Sequence, residues 1–260
     1  MLWIGIILLV AAAGCLWGAA RSQRKVHAMM AAETLSVPEL LELQRISTEL
    51  TGPGNLRKVC EVVGETVPAP VGMLRSELTG TDCVWYSTRV QRRYKHYDRD
   101  TDGDTRVSTR TETVSDMTSP HGWALLRDGH TIGVDHGGRR PDGAEQVLDR
   151  FEQAHDRQPA GVAGVLGALM GGDRDETIGY QHTEHVLRPG TRMYVLGEVD
   201  DRDGPLVIRP PRDSAVPFVL STRTEEELTD SARGGQKIWA WIAAVAALVG
   251  VALIVLGIVF

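Results

Sequence analysis

The last 23 residues of the chain, Ile238 to Phe260, carry no charge. As a helix they extend about 35 Å at 1.5 Å per residue, enough to cross a hydrocarbon core about 30 Å thick. A second uncharged run, Leu2 to Ala20, has Trp3 and Trp17 near its ends and Arg21, Arg24 and Lys25 directly after it. A cleaved signal peptide normally has basic residues before its apolar region. None precedes this run, so a retained anchor is the stronger reading, with a cleaved signal as the alternative. The terminal run follows Arg233 and Lys237 and places Trp239 and Trp241 where an aromatic belt belongs. Both sets of positive charge adjoin the segment between the runs. The positive-inside rule therefore puts that segment on the cytoplasmic side of a membrane, with both termini outward. The expectation is a two-span membrane protein: spans at residues 2–20 and 238–260, a leader with an amphipathic helix at 21–54, and a folded domain at 55–237.

Between the spans there is ample length for a core. The net charge of −6 argues against nucleic acid as a partner, which normally calls for a basic stripe. With Cys15 in the first apolar run, Cys60 and Cys83 are too sparse for a disulfide framework.

Ser36-Val-Pro-Glu39 reads as a capping box with proline at an early helical position. Leu40, Leu41, Leu43, Ile46 and Leu50 supply an apolar face. From Arg57 the period changes to two, with Cys60, Val62 and Gly64 alternating with Val59, Glu61 and Val63, as in a strand. Thr81 to Tyr97 and Thr105 to Val114 predict a hairpin, and Ala124 to Leu126 pairs with Thr131 to Val134 through Asp128-Gly129. Residues 141–179 read as a helical insertion. Asp142 and Glu145 start a helix bearing Val147, Leu148 and Phe151, and the uncharged Ala160 to Gly172 is a buried or an interfacial segment. Strands resume at Met193 to Val199 and Leu206 to Ile208. The fold class is α+β: a mainly antiparallel domain, barrel-like or sandwich, with a few helices and two flanking transmembrane helices.

Motifs for chemistry are sparse, and no catalytic residue is identified. Asp98 to Asp104 copies the first ligand positions of an EF-hand loop. Position twelve, however, is Thr109, and strand-like sequence flanks the loop, so a hairpin tip is preferred to calcium. The basic run Arg89, Arg92, Arg93, Lys95, His96 and Arg99 reads as a solvated edge strand, with anionic headgroups as the alternative. His182 and His185 around Glu184 make only a fragment of a metal site. His136-Gly-Gly138 is an oxyanion-hole pattern with no G-x-S-x-G partner. No cofactor is predicted.

The order of features from Tyr180 onward carries a resemblance: Gly179-Tyr180, Glu184, Leu187, Gly190, Gly197-Glu198 within Val195 to Val199, Leu206 to Ile208, Pro210-Pro211, Pro217-Phe218 to Ser221, Glu226-Glu227-Leu228 and then the apolar run. Together with the Cys60 to Gly64 strand and Val84-Trp85-Tyr86, it resembles the GIDE family, membrane-anchored ubiquitin ligases of mitochondria and the chloroplast envelope. That resemblance implies the domain lying beside the membrane. In ligases of this type a zinc-binding RING finger follows the second span, and no spaced thiol pairs for RING zinc are present in these 260 residues. The resemblance therefore implies a membrane-tethered binding or sensing module whose partners are the bilayer and a protein or lipid ligand. The alternative is a ubiquitin-pathway component using a RING from a partner. Homo-oligomerisation is left open.

Overall fold

The computed structural model describes residues 32–99, 105–154 and 176–224, together with single residues near the two ends. The helix expected at Ser36 forms as α1 (Val37–Thr51). Ser36 accepts from the Glu39 N–H at 3.4 Å, and Glu39 returns a 2.7 Å bond to the Ser36 N–H, satisfying two end donors of the helix. Val37 and Leu40 are fully buried. Preceding it, β1 (Glu33–Thr34) pairs in parallel with β2 (Arg57–Val67) at Cys60 and Glu61.

The main body is a closed five-stranded barrel. Strand β2 pairs with β7 (Trp123–Arg127), β7 with β8 (His130–Val134), β8 with β12 (Val207–Arg209), β12 with β11 (Arg192–Asp200), and β11 returns to β2. The closing ladder runs antiparallel from Arg57 opposite Asp200 to Glu65 opposite Arg192. All barrel pairings are antiparallel except β8 with β12. Asp128 and Gly129 have φ of 52° and 76°, the two positive values that a tight β7–β8 hairpin turn requires. Period two is obeyed along β2: Cys60 and Val62 point into the core with Met193, Val195, Leu125, Ile132, Val134 and Ile208. On the outer face of the same ladder, Tyr194 and Leu196 form a second buried cluster. There the Glu61 carboxylate accepts hydrogen bonds from Thr34 Oγ1 at 3.1 Å and from the Tyr194 hydroxyl.

A four-stranded antiparallel sheet in the order β6-β5-β10-β9 grows from the barrel. It comprises β5 (Trp85–Arg99), β6 (Thr105–Thr118), β9 (Glu145–Gln153) and β10 (Glu176–Leu187). Trp85 and Leu187, at the barrel end of its two inner strands, join the barrel core. A short hairpin, β3 (Leu74–Arg75) with β4 (Asp82–Cys83), precedes it. The final strand β13 (Val219–Ser221) pairs with β11 at Tyr194 to Leu196.

Two expectations are overturned. The helix drawn from Asp142 and Glu145 is strand β9 from Glu145 to Gln153, paired with β10. Val147, Leu148 and Phe151 fit a helical face, but the open edge of β10 recruits the segment, and tertiary pairing overrides a short local pattern. The basic strand is not an edge either: β5 lies between β6 and β10. Its cations face acids on those neighbours, Arg89 with Asp116 at 2.8 Å and Lys95 with Glu176 at 3.1 Å. The apolar run 160–172, the tip residues 100–104 and nearly all of both expected spans fall outside the described residues. Among the described residues no helix is long and apolar enough to cross a membrane.

The loop after β3 is organised by one carboxylate. Glu184 on β10 is fully buried and accepts from Ser76 Oγ at 3.0 Å, Leu78 N at 2.7 Å, Thr79 N at 3.0 Å and Thr79 Oγ1 at 2.6 Å. Burial pushes its pKa up, but these donors outweigh burial and hold it below 4.5. Its stabilisation is therefore present above the unfolded pKa and is lost as pH falls through the lower folded value. Glu184→Gln, which turns an amide donor toward donors, should destabilise the domain by about 3 kcal/mol. It should also flatten the loss of stability below pH 4.5, read by denaturant melts across pH.

Candidate functional site: an apolar groove beside the helix

A groove of about 540 Å³ opens between α1, the chain after β2, the β7–β8 hairpin and the segment entering β12. Leu41, Val71, Trp123, Ala124, Pro205 and Leu206 supply its apolar walls. Gln44, His121, Thr131 and Asp135 provide polar positions, and no lysine or arginine lines it among the described residues. Such a volume with apolar walls and a few polar groups is the usual form of a binding pocket. It suits an aliphatic or aromatic side chain rather than an anionic headgroup.

The groove walls are tied together from beneath by Asp201, which is nearly fully buried. Its carboxylate accepts from Leu56 N at 3.0 Å and from Gln44 Nε2 at 3.5 Å, while the same Gln44 nitrogen donates to the Gly204 carbonyl at 2.9 Å. One acid thereby links the helix, the chain leaving it and the turn before β12.

His136, beyond β8, is held between two tryptophans. Its ring stacks on Trp123 with centroids 6.1 Å apart and meets Trp85 edge-on at 6.3 Å. The Gly138 N–H donates to Nδ1 at 3.0 Å, and Nε2 lies 3.1 Å from the Ser119 carbonyl. A carbonyl only accepts and an N–H only donates, so the proton sits on Nε2 and Nδ1 is bare. The His136-Gly-Gly138 sequence thus serves to fix a buried neutral imidazole.

Most family-pattern residues build the frame and lie off the groove, whereas Leu206 and Val207 of the Leu206 to Ile208 pattern line it. Glu184 anchors the 76–79 loop, and Gly190 turns the chain from β10 to β11. A Cβ on Gly197 would sit 2.7 Å from Ile208 Cγ2 and 2.8 Å from the Arg209 carbonyl, so glycine lets β12 and Phe218 close over β11. Glu198 accepts from the Arg212 N–H at 3.2 Å, just past Pro210 and Pro211. Phe218, after Pro217, is buried, with the Arg139 guanidinium 5.6 Å above its ring. Tyr180 sits mid-strand in β10 opposite Arg92.

Other sequence candidates separate in space. His182 and His185 project from opposite faces of β10, three residues apart on a strand, and do not converge on one ion. Cys60 and Cys83 are fully buried, and burial pushes their thiols up to about 12 and about 11, opposite to the depressed pKa of a thiol nucleophile. Of the membrane-interface residues, Trp3, Trp17, Arg21, Arg24, Lys25, Lys237 and Trp239 lie outside the described residues. Trp241 is helical and 73% exposed. Sequence reading missed Asp201, Gln44 and the groove, whose walls come from four separate segments. The only local signal was a pair of adjacent acids, Asp200-Asp201, at a strand end.

A protein-family model described as GIDE, E3 ubiquitin ligase, matches residues 92–257. No curated protein and no solved structure matches the chain. The matched span starts within β5 and takes in β6 to β13, including most of the barrel wall.

Burial of His136 lowers its pKa from 6.5. Its contribution to stability is full above the unfolded value and is lost as pH falls through the folded one. Ring-proton titration by NMR should place its midpoint below 6.5. His136→Phe should remove the acid-side decline in stability that begins there, at a cost of about 1–3 kcal/mol from the orphaned backbone groups.

Proposed function

The chain belongs to the GIDE family, described as E3 ubiquitin ligase, and from that premise we propose that it is a membrane-tethered binding module of a ubiquitin-ligase system, seating an apolar segment of a partner protein in the groove beside α1. The observation that carries this reading is the groove itself, about 540 Å³ with apolar walls, a single imidazole, His121, and no lysine or arginine among the described residues that line it. Glu184, Asp201 and His136 are taken up in holding loops, and burial displaces the two buried thiols away from reactivity, which supports a binding role over a catalytic one.

Tethering is supported by residues near the ends. Val10, Trp241, Val245, Leu248 and Val249 are helical, apolar and 67, 73, 55, 73 and 47% exposed. Apolar side chains left outward at helical spacing suit a lipid environment. The two spans at 2–20 and 238–260 then hold the barrel close to the bilayer, with the domain on the cytoplasmic side as the flanking arginines and lysines direct.

A photoreactive phenylalanine analogue at Val71, which is 56% exposed at the groove, should form a protein adduct in native membranes. Thr131→Trp, which fills the groove from an exposed strand position, should abolish the adduct without lowering the melting temperature. Labelling of lipid alone, or an adduct indifferent to Thr131→Trp, would overturn the reading. For topology, impermeant thiol reagents cannot report through Cys60 or Cys83, which are buried. A single cysteine at Leu50, 79% exposed, in a Cys15→Ser background should resist such a reagent on intact cells and react after permeabilisation. Reaction on intact cells would reverse the orientation.

A further inference from the structure

Strand β6 forms one edge of the four-stranded sheet and, among the described residues, pairs only with β5. It is 14 residues long, and Val107, Val114 and Met117 along it are 53, 57 and 46% exposed. Long exposed edges are templates for further strand pairing unless proline, uncompensated charge or a bulge blunts them. This strand contains no proline and no lysine, and its charges are of both signs, Arg106, Arg110, Glu112 and Asp116. Its bulge comes late, where Thr113 faces Gln91 and Ser115 faces Val90, leaving Val114 without an opposite residue.

The charge order before that bulge is self-complementary. Arg110 and Glu112 lie opposite Tyr94 and Arg92, on one face of the sheet. Thr109, Thr111 and Thr113 lie opposite Lys95, Arg93 and Gln91, on the other. A second β6 laid antiparallel with its centre at Thr111 sets each Arg110 opposite Glu112 of the second copy. It also sets Thr109 opposite Thr113, and Thr111 opposite itself. Opposite charges and threonine pairs directly across strands are both favourable. Centring the pair at Arg110 or Glu112 would set like charges face to face. Centring it at Thr109 would put Arg110 diagonal to Arg106 and Arg110 of the copy. The other edge, β9, carries Glu145, Asp149 and Glu152 against the single Arg150, and its self-pairing juxtaposes acids.

We infer that the exposed β6 edge is a two-fold interface with a second copy of this chain, joining two four-stranded sheets into one through antiparallel β6 strands centred on Thr111. An isologous contact of this kind closes on itself and stops at a dimer. It is independent of the groove. Confinement of both copies to one membrane raises their effective concentration, so a short ladder suffices.

The test uses the full chain in native membranes, in a Cys15→Ser background where Cys60 and Cys83 are buried and silent. Residues directly opposite across antiparallel strands have Cα atoms about 4.5–5.5 Å apart, within disulfide reach. Thr111→Cys should therefore give a disulfide dimer on mild oxidation, while Leu50→Cys stays monomeric. Adding Arg110→Glu alone, or Glu112→Arg alone, should remove the dimer, and adding both should restore it. Glu112 also pairs with Arg92 at 3.6 Å, so each variant is checked for an unchanged melting transition. A monomeric Thr111→Cys chain, equal cross-linking at Leu50→Cys, or dimers indifferent to the charge reversals would overturn the interface.

Discussion

Everything in this domain hangs on the ladder between β2 and β11. Its nine residue pairs close the barrel, and both strands are shared with a neighbour on their other side. Such a ladder needs two strands that tolerate burial on both faces. The sequence of β11 meets that demand, with eight of its nine residues buried, Met193 to Asp200. The outer face of the ladder is buried as well, which is why β2 carries the unusual choice of Glu61 beneath a tyrosine hydroxyl instead of an exposed lysine or threonine. An unpaired carboxylate there would be costly. Thr34 and Tyr194 supply the donors, and with them the first strand is fixed to the second.

The same logic explains what the family-pattern residues do in this chain's architecture. Glu184 lies 106 residues from Leu78, whose N–H it holds, while Glu198 lies 14 from Arg212 and Phe218 adjoins its strand; each, like Gly197, solves a local problem of closure. A buried acid gathers the 76–79 loop, a missing side chain lets β12 approach, and an aromatic ring seals the last strand. These residues are therefore residues of assembly. The groove takes its walls from α1, the chain after β2 and the barrel strands themselves, and Trp123, Val134 and Leu206 serve both the groove and the barrel core.

Much of the fold was legible because its strands and helix announce themselves locally. The capping box at Ser36, the alternation from Arg57 and the Asp128-Gly129 turn each specify an element through its nearest neighbours. Strand β9 was not legible, since Val147, Leu148 and Phe151 satisfy a helical period and only the waiting edge of β10 decides otherwise. The basic strand β5 misled for a related reason. Arginines that look solvated in one dimension are matched by acids on strands more than twenty residues away, as Arg89 is by Asp116. The site was least legible. Asp201 reaches Gln44 across 157 positions of sequence, and no window contains both.

The first and last strands of the domain, β1 and β13, lie on either side of the β2–β11 ladder, giving a continuous row of four in the order β1-β2-β11-β13. The chain thus enters and leaves through the two outer members of that row. The joint β1–β2 rests on two residue pairs and β13–β11 on three, the latter backed on its far edge by Asp142, whose N–H donates to the Leu220 carbonyl at 2.8 Å and whose carbonyl accepts from Thr222 N at 3.0 Å. The nine-pair ladder between them is the clasp and has the larger reserve. A pull between the two outer strands therefore loads the entry joint most, and the expected first failure is at β1 while the clasp stays shut.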